Sequence, residues 1–339
     1  MFIVNSYTLA VVLCFVIMLC WGSWGNTQKL AAKSWRYELF YWDYVIGMVI
    51  FSLILAFTLG STGAEGQSFI ENLKQVSTEN IGWIIVGGII FNASNILLSA
   101  SISIAGMAVA FPLGVGIALV LGVINNYRVA LAQGASTGNV ALLATGVALV
   151  VVAIVCNGIA SGKKGGKTSG SEEKKGLVLA LIAGVLMSFF SSFVMRAMDL
   201  TNFASPAPGT ATPYTAIVLF TIGVLLSNFV FNTLVMKKPF VGEPVSYSQY
   251  FKGNAKTHLV GMLGGAIWCL GTALSYISAG KAGAAVSYAL GQGAPMIAAI
   301  WGVFVWKEFK DSSKQVYGLL ALMFCFFVAG LGLIVAAGM

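Results

Sequence analysis

Ala108-Val109-Ala110-Phe111-Pro112-Leu113-Gly114-Val115-Gly116 and Ala285-Val286-Ser287-Tyr288-Ala289-Leu290-Gly291-Gln292-Gly293 lie 177 residues apart and align without a gap. Five of these positions are identical, and Ala110/Ser287 and Phe111/Tyr288 are conservative pairs. At the same shift Gly87-Gly88 falls on Gly264-Gly265 and Phe91 falls on Trp268. One spacing held across two neighbouring stretches marks an internal repeat. Both copies sit inside unbroken apolar runs, so the repeating unit is a set of membrane helices.

Ten such runs fill the chain, at 6–25, 39–60, 81–102, 105–125, 138–159, 177–197, 214–236, 257–279, 282–304 and 315–337. Each is close to the roughly 20 apolar residues that a crossing needs. None alternates with period two, which favours helices over barrel strands. Composition agrees. Of 339 residues 58% are hydrophobic and only 9% charged, against about 25% charged in soluble domains. Mean hydropathy is +0.89. Such a chain cannot cover a soluble globule with polar surface, which excludes a cytosolic enzyme and a disordered protein. The apolar segment from Tyr7 to Leu19 has no basic region before it and no small-x-small site after it, so it reads as a retained first span.

The longest polar stretch is Ser161 to Lys175, with Gly162-Lys163-Lys164-Gly165-Gly166-Lys167-Thr168-Ser169-Gly170-Ser171-Glu172-Glu173-Lys174-Lys175 inside it. Glycine, serine and charge predict a flexible linker over 161–176, between a first repeat at 1–160 and a second at 177–339. Five spans on each side is an odd number, so the second half enters the membrane upside down. The expected fold is an all-α polytopic membrane protein of ten transmembrane helices in two inverted five-helix repeats.

The net charge of +8 reflects orientation rather than nucleic-acid binding, because the cations lie between apolar runs. With the N-terminus outside, the inner loops carry Lys29, Lys33, Arg36, Lys163, Lys164, Lys167, Lys174, Lys175, Lys237, Lys238, Lys252, Lys256, Lys307, Lys310 and Lys314. The outer set is Lys74, Arg128, Arg196 and Lys281. The bias predicts both termini outside a cell (inner) membrane. Cys14, Cys20, Cys156, Cys269 and Cys325 each lie in an apolar run without a CxxC pattern and read as packed free thiols. His258 is the single histidine, so no His-based metal site or catalytic triad is expected. There is no phosphate loop, HExxH or GxSxG, so neither an enzyme nor a nucleotide-driven pump is expected, and no cofactor.

Polar groups inside a bilayer are costly and become site candidates. Span 1 ends in Trp21, Ser23, Trp24 and Asn26, where Gly22 and Gly25 can loosen the helix. The indoles suit a planar heterocycle or a sugar face; an interfacial aromatic belt beside Lys29 is the alternative. Span 2 opens with Glu38, expected at the interface near Arg36, and Asp43, which sits deeper. Burial favours a carboxyl's neutral form, so Asp43 is the first candidate for proton coupling. A dipole-favoured position or a salt bridge to Lys29 or Arg36 are the alternatives. Asn92, Asn95 and Ser99 share one face of span 3, and Trp268, Thr272 and Tyr276 share one face of span 8. At the 177 shift Asn95 meets Thr272 and Ser99 meets Tyr276, the two opposed faces that a midplane site requires. Tyr288 and Gln292 are candidates on span 9. Pro112, Gly114 and Gly291 are candidate hinges. Ser227, Asn228 and Asn232 on span 7 fit interhelical bonding or substrate contact equally, and Arg196 is expected to snorkel or to pair with Asp199.

Three segments carry a resemblance. Cys20-Trp21-Gly22-Ser23-Trp24-Gly25-Asn26-Thr27-Gln28-Lys29-Leu30, followed by Trp35-Arg36-Tyr37-Glu38-Leu39-Phe40-Tyr41-Trp42-Asp43-Tyr44, resembles the first-loop signature of the plant ureide permeases. The segment Trp301 to Gly330, with Lys307-Glu308, Gly318 and Gly330, is similar to the last two helices of the drug/metabolite transporter superfamily. Sugar-uptake proteins of the glucose and rhamnose types are similar in layout. The plant members carry a longer central loop. The resemblance implies two inverted five-helix bundles and proton-driven uptake of small polar solutes; the plant relatives are associated with allantoin and oxo-derivatives of nitrogen heterocycles such as uracil. The expected function is a secondary transporter importing a small neutral polar solute by proton symport and alternating access. Sugar uptake and drug or metabolite export are the alternatives. The expected partners are the solute, protons and the lipid bilayer, not nucleic acid, with the chain a monomer or homodimer.

Overall fold

The structure, a computed structural model, describes residues 1–31, 35–105, 107–164 and 171–339. In chain order it forms α1 (Tyr7–Ala31), α2 (Tyr37–Phe57), a short α3 (Phe69–Gln75), α4 (Thr78–Ala105), α5 (Met107–Ala132) and α6 (Val140–Lys164). Then come α7 (Ser171–Met195), α8 (Pro213–Lys237), a short α9 (Tyr247–Phe251) and α10 (Ala255–Ala282). The ninth crossing is built from α11 (Ala284–Gly291), α12 (Ala294–Ile300) and a π-helical turn (Trp301–Val305), and α13 (Lys314–Ala337) is last. Ten crossings among the described residues are long and apolar enough to span a membrane. The protein is an all-α polytopic membrane protein, as the apolar runs predict.

Helix starts follow local chemistry. Ser68 and Glu71 form a reciprocal capping box at α3. Thr212, Asn254 and Ser313 cap α8, α10 and α13 by accepting a backbone N–H three residues on, with Pro213 opening α8. Three features differ from the sequence reading. First, α1 runs through Gly22 and Gly25 without loosening and continues past 25, so Asn26 and Lys29 are helical. Gly22 serves close approach instead: a Cβ there would lie 2.5 Å from the Ala294 carbonyl oxygen. Second, α5 continues through Pro112. Third, the ninth run is broken, with Gln292 and Gly293 between α11 and α12 and Pro295 just inside the restart. The backbone N–H that proline lacks has no partner in a first turn anyway, so the chain restarts there at little cost. Within the predicted linker, helix reaches Lys164 from one side and begins at Ser171 on the other. Lys33 and Lys167, both counted for orientation, lie outside the described residues.

The crossings pair reciprocally: α1 lies on α10 and α7 on α4, α2 lies on α10 and α8 on α4, and α6 pairs with α13. Helices α4 and α10 both have 28 residues, and their bounds coincide at the 177 shift. At the centre Phe91, Phe190 and Phe220 surround Trp268, with the Phe91 and Trp268 ring centroids 4.1 Å apart. Leu19, Phe57, Val155, Leu226, Phe229 and Val328 point outward and exposed, a pattern suited to lipid. Cys14, Cys20 and Cys269 are buried free thiols.

The ends of the helices sort onto two faces. On one, the Met1 ammonium donates to the Glu65 carbonyl, the Asn139 N–H to the Ala337 carbonyl and the Ser77 N–H to the Gly209 carbonyl. On the other, Arg36 donates to the Glu243 carbonyl, Lys175 to the Phe240 carbonyl and Lys163 to Gln315. The first face holds both termini. The second holds Lys29, Arg36, Lys163, Lys174, Lys175, Lys237, Lys238, Lys252, Lys256, Lys307, Lys310 and Lys314, and is called the basic face below.

Candidate functional site

Where α1, α4, α10 and the break in the ninth crossing meet, Trp21, Trp24, Asn95, Trp268 and Gln292 line one cavity, with Phe91, Leu98, Val115, Met187, Phe190 and Ala294. Its free volume is about 40 Å³, room for water rather than a heterocycle, so the site is contracted on itself. The two indoles are not an interfacial belt: Trp21 is 7% and Trp24 3% exposed. The Trp21 and Trp268 rings stack at 6.3 Å, 17° from parallel. Trp21 Nε1 donates to Thr272 Oγ1 at 3.2 Å, and that hydroxyl donates to the Trp268 carbonyl. Thr272 therefore sets the indole pair rather than lining the cavity. Asn95 Nδ2 donates to Tyr41 Oη at 3.2 Å. Gln292 is carried into the cavity by the helix break.

The remaining polar candidates lie elsewhere. Asn92 donates to Ser227 of α8, an interhelical bond, and Asn232 donates to the Glu38 carbonyl. Ser99, Tyr276 and both amide atoms of Asn228 are buried without a protein partner. Arg196 is exposed with its guanidinium 4.1 Å from the centre of the Trp83 ring, and among the described residues it makes no ion pair with Asp199, which accepts the N–H groups of Thr201, Asn202 and Ala207.

Ser23 and Asn26 do not line the cavity. They form rungs between α1 and the chain after α12. Trp301 Nε1 donates to Ser23 Oγ at 2.9 Å, Trp306 Nε1 donates to Asn26 Oδ1 at 2.6 Å, and Lys29 pairs with Glu308. Lys29 Nζ also sits 4.4 Å from the centre of the Trp306 ring. The rungs at 23, 26 and 29 fall on one helical face and tie α1 to the chain after α12 on the basic side. On the far side Tyr288, fully buried, donates to the Ala118 carbonyl at 3.2 Å, its ring pressed on Gly122, and seals α11 to α5. A single reversal, Lys29→Glu, is expected to part α1 from Glu308. A cysteine placed at Ala298 should then react several-fold faster with a water-soluble thiol reagent. The swap Lys29→Glu/Glu308→Lys should return it to the parent rate. Exposed pairs are worth about 0.2–1 kcal/mol, so most of the effect comes from the repulsion created.

Asp43 and Glu38 end in separate clusters on the basic side. Glu38 lies beside Arg36 as expected; its side chain is fully buried and pairs with Arg36 at 2.5 Å. Asp43 pairs with neither Lys29 nor Arg36. Its fully buried carboxylate accepts from Tyr250 Oη at 2.6 Å and Trp35 Nε1 at 3.1 Å, and lies 2.7 Å from His258 Nδ1. Burial, then the Asp43 carboxylate itself, pushes the Tyr250 phenol above its usual range, so it stays a donor. Asp43 lies outside the cavity and abuts Gly261 of α10, two turns before Trp268. Sequence reasoning missed His258 and Tyr250 because each is a lone polar residue in a loop or at a helix start. It missed Trp301 and Trp306 because their partners on α1 lie 278 and 280 residues away, and it missed the apolar lining because only the fold assembles it.

A cavity of aromatic and apolar side chains with two amides, set among ten helices long and apolar enough to cross a membrane, suits a polytopic transporter, and the permease relatives below indicate a transporter rather than an enzyme. The comparisons make the class specific. The family model for ureide permeases matches residues 159–337, so the chain belongs to the ureide permease family. It is 23% identical to ureide permease 1 of Arabidopsis thaliana across 99% of both chains, and likewise 23% identical to ureide permease 2. Ureide permease 5 of the same plant is 24% identical over 99% of this chain and 96% of its own. A solved crystal structure with 16% identity matches the fold at a TM-score of 0.59 over 96% of each chain.

Proposed function

We propose that the protein imports a small neutral polar heterocycle of the ureide or nucleobase kind, by proton symport and alternating access. The observation that carries this is the cavity: stacked indoles Trp21 and Trp268 offer flat faces, and the amides of Asn95 and Gln292 offer donor and acceptor together. A ureido or lactam group presents the complementary pair. Among the described residues no charged side chain lines the cavity, which fits a neutral solute. The names of the Arabidopsis relatives point to the same chemistry.

Alternating access would open the basic face by parting α1 from residues 301–308, and the other face by lifting Tyr288 from Gly122. The reciprocal pairing of α1–α10 with α7–α4 supports two inverted repeats, 1–160 and 177–339, rocking about the cavity. The cation bias supports the basic face as cytoplasmic. Asp43 is the proposed proton-coupling group, with Glu38 the second: Asp43 is sealed from lipid, reaches the basic face through His258, and acts on the cavity through α10.

Uptake in proteoliposomes tests the whole reading. Labelled allantoin, uracil, xanthine, glucose and rhamnose are offered with and without an inward proton gradient. Gradient-stimulated uptake of a heterocycle is expected. Asp43→Asn should lose the stimulation and keep solute exchange. Sugar uptake would replace the substrate class, and uptake indifferent to the gradient would remove the symport.

A further inference from the structure

We infer that the chain carries a second binding site between the central cavity and the basic face, taking the same class of planar, amide-bearing solute; this rests on the transport reading above. The site is the space bounded by Asn26, Lys29, Asn157, Ser161, Trp306 and Glu308. It repeats the chemistry of the cavity, an indole beside amides. Helix α1 passes through both: Trp21 and Trp24 belong to the cavity, Asn26 and Lys29 to this space. Five residues of helix separate Trp21 from Asn26, about 7.5 Å. The floor between the two is Gly22 packed against Ala294. Helix α5 is likewise shared, with Val115 above and Pro112 below.

Charge selects the ligand. Lys29 and Glu308 neutralise one another, so the space favours a neutral solute over an anion. The rungs already engage Asn26 and the Trp306 N–H, which leaves polar recognition to α6. There Asn157 and Ser161 lie one turn apart on one face. Ser161 is 5% exposed, and its hydroxyl has no hydrogen-bond partner among the described residues. Asn157, 9% exposed, borders the same space. A buried hydroxyl left unpaired costs free energy that a bound polar group restores. A lactam or ureido edge, with N–H and C=O side by side, satisfies both side chains while its ring lies on Trp306. Like the cavity, this space is contracted to about 40 Å³. Occupation therefore requires the rungs from α1 to part, which makes this a station the solute reaches after the basic-side gate yields.

Equilibrium dialysis of the purified full chain against labelled allantoin and labelled uracil reads the stoichiometry. The parent protein is expected to bind a second equivalent more weakly than the first. Asn157→Leu/Ser161→Val should remove the weak equivalent and leave the tight one unchanged. Trp268→Ala should remove the tight one and leave the weak one, whose binding quenches emission that Trp306→Phe abolishes. Should Trp268→Ala fail to fold, Gln292→Ala replaces it. A single equivalent, lost in Trp268→Ala or Gln292→Ala and indifferent to the α6 pair, overturns the second site and leaves the transport reading standing. No binding of either compound overturns both.

Discussion

Trp268→Ala is expected to reduce uptake efficiency by about 10–100-fold, the loss of one aromatic face from a stacked heterocycle at ~1–3 kcal/mol. The argument starts from what the indole touches. Its ring stacks with Trp21 on one side and sits 4.1 Å from Phe91, with Phe190 and Phe220 around it. Its backbone carbonyl accepts from Thr272, whose hydroxyl holds Trp21 Nε1. Truncation removes a wall of the cavity and frees its partner wall. Two companions separate those effects. Trp268→Phe keeps an aromatic face and should lose only a few-fold. Thr272→Val keeps the ring but releases Trp21, and should raise KM with little change in kcat, because a mispositioned Trp21 weakens substrate and transition state alike. The check is concentration-dependent uptake in proteoliposomes, with the folded fraction of each variant measured by size-exclusion profile. Parent-level uptake by folded Trp268→Ala would remove the indole pair from the site.

The sequence holds more of the fold than of the site, for physical reasons. Ten crossings are legible because a bilayer enforces one rule on every residue of a span, and the rule is written locally in apolar runs of fixed length. The break at Gln292 is half legible. Gly291, Gly293 and Pro295 announce weakness, yet Gly22, Gly25 and Pro112 announce it equally, and there the helix runs on. Whether a glycine bends a helix or admits a neighbour depends on what packs against it, and Ala294 lies 272 residues from the Gly22 it touches. The same distance hides the site. Trp21, Trp24, Asn95, Trp268 and Gln292 can be picked singly as polar or aromatic groups in lipid. Ser23 and Asn26 have the same signature and turn to Trp301 and Trp306, because a helix carries both faces in one string of letters. Asp43 illustrates the opposite case: its depth in span 2 is readable, while its partners Tyr250 and His258 arrive from another loop and another helix.

Gly265→Val and Gly88→Val are expected to be strongly damaging, and to a similar degree. A Cβ at Gly265 would fall on the Tyr44 carbonyl oxygen of α2, with the Tyr44 carbonyl carbon at 2.8 Å and the Met48 nitrogen at 2.9 Å. A Cβ at Gly88 would fall on the Phe220 carbonyl oxygen of α8, with the Val224 nitrogen at 3.0 Å. In both cases the obstacle is backbone, which cannot rotate away. Overpacking typically costs about 1–3 kcal/mol where side chains absorb it, so the cost here should exceed that range and show as loss of folded, monodisperse protein. Gly318 is the control, since a Cβ there meets nothing within 4 Å; Gly318→Ala should be neutral or mildly stabilising, by up to ~1 kcal/mol. The comparison between the two valines tests the architecture. Gly87 and Gly88 fit α4 against α7 and α8, whereas Gly264 and Gly265 fit α10 against α1 and α2. If the halves are inverted copies, these are one seam built twice, and thermal unfolding should fall by comparable amounts in the two variants. A large fall at Gly265 with parent-like stability at Gly88 would mean the seams carry unequal load, and the repeat would describe sequence ancestry without describing the packing.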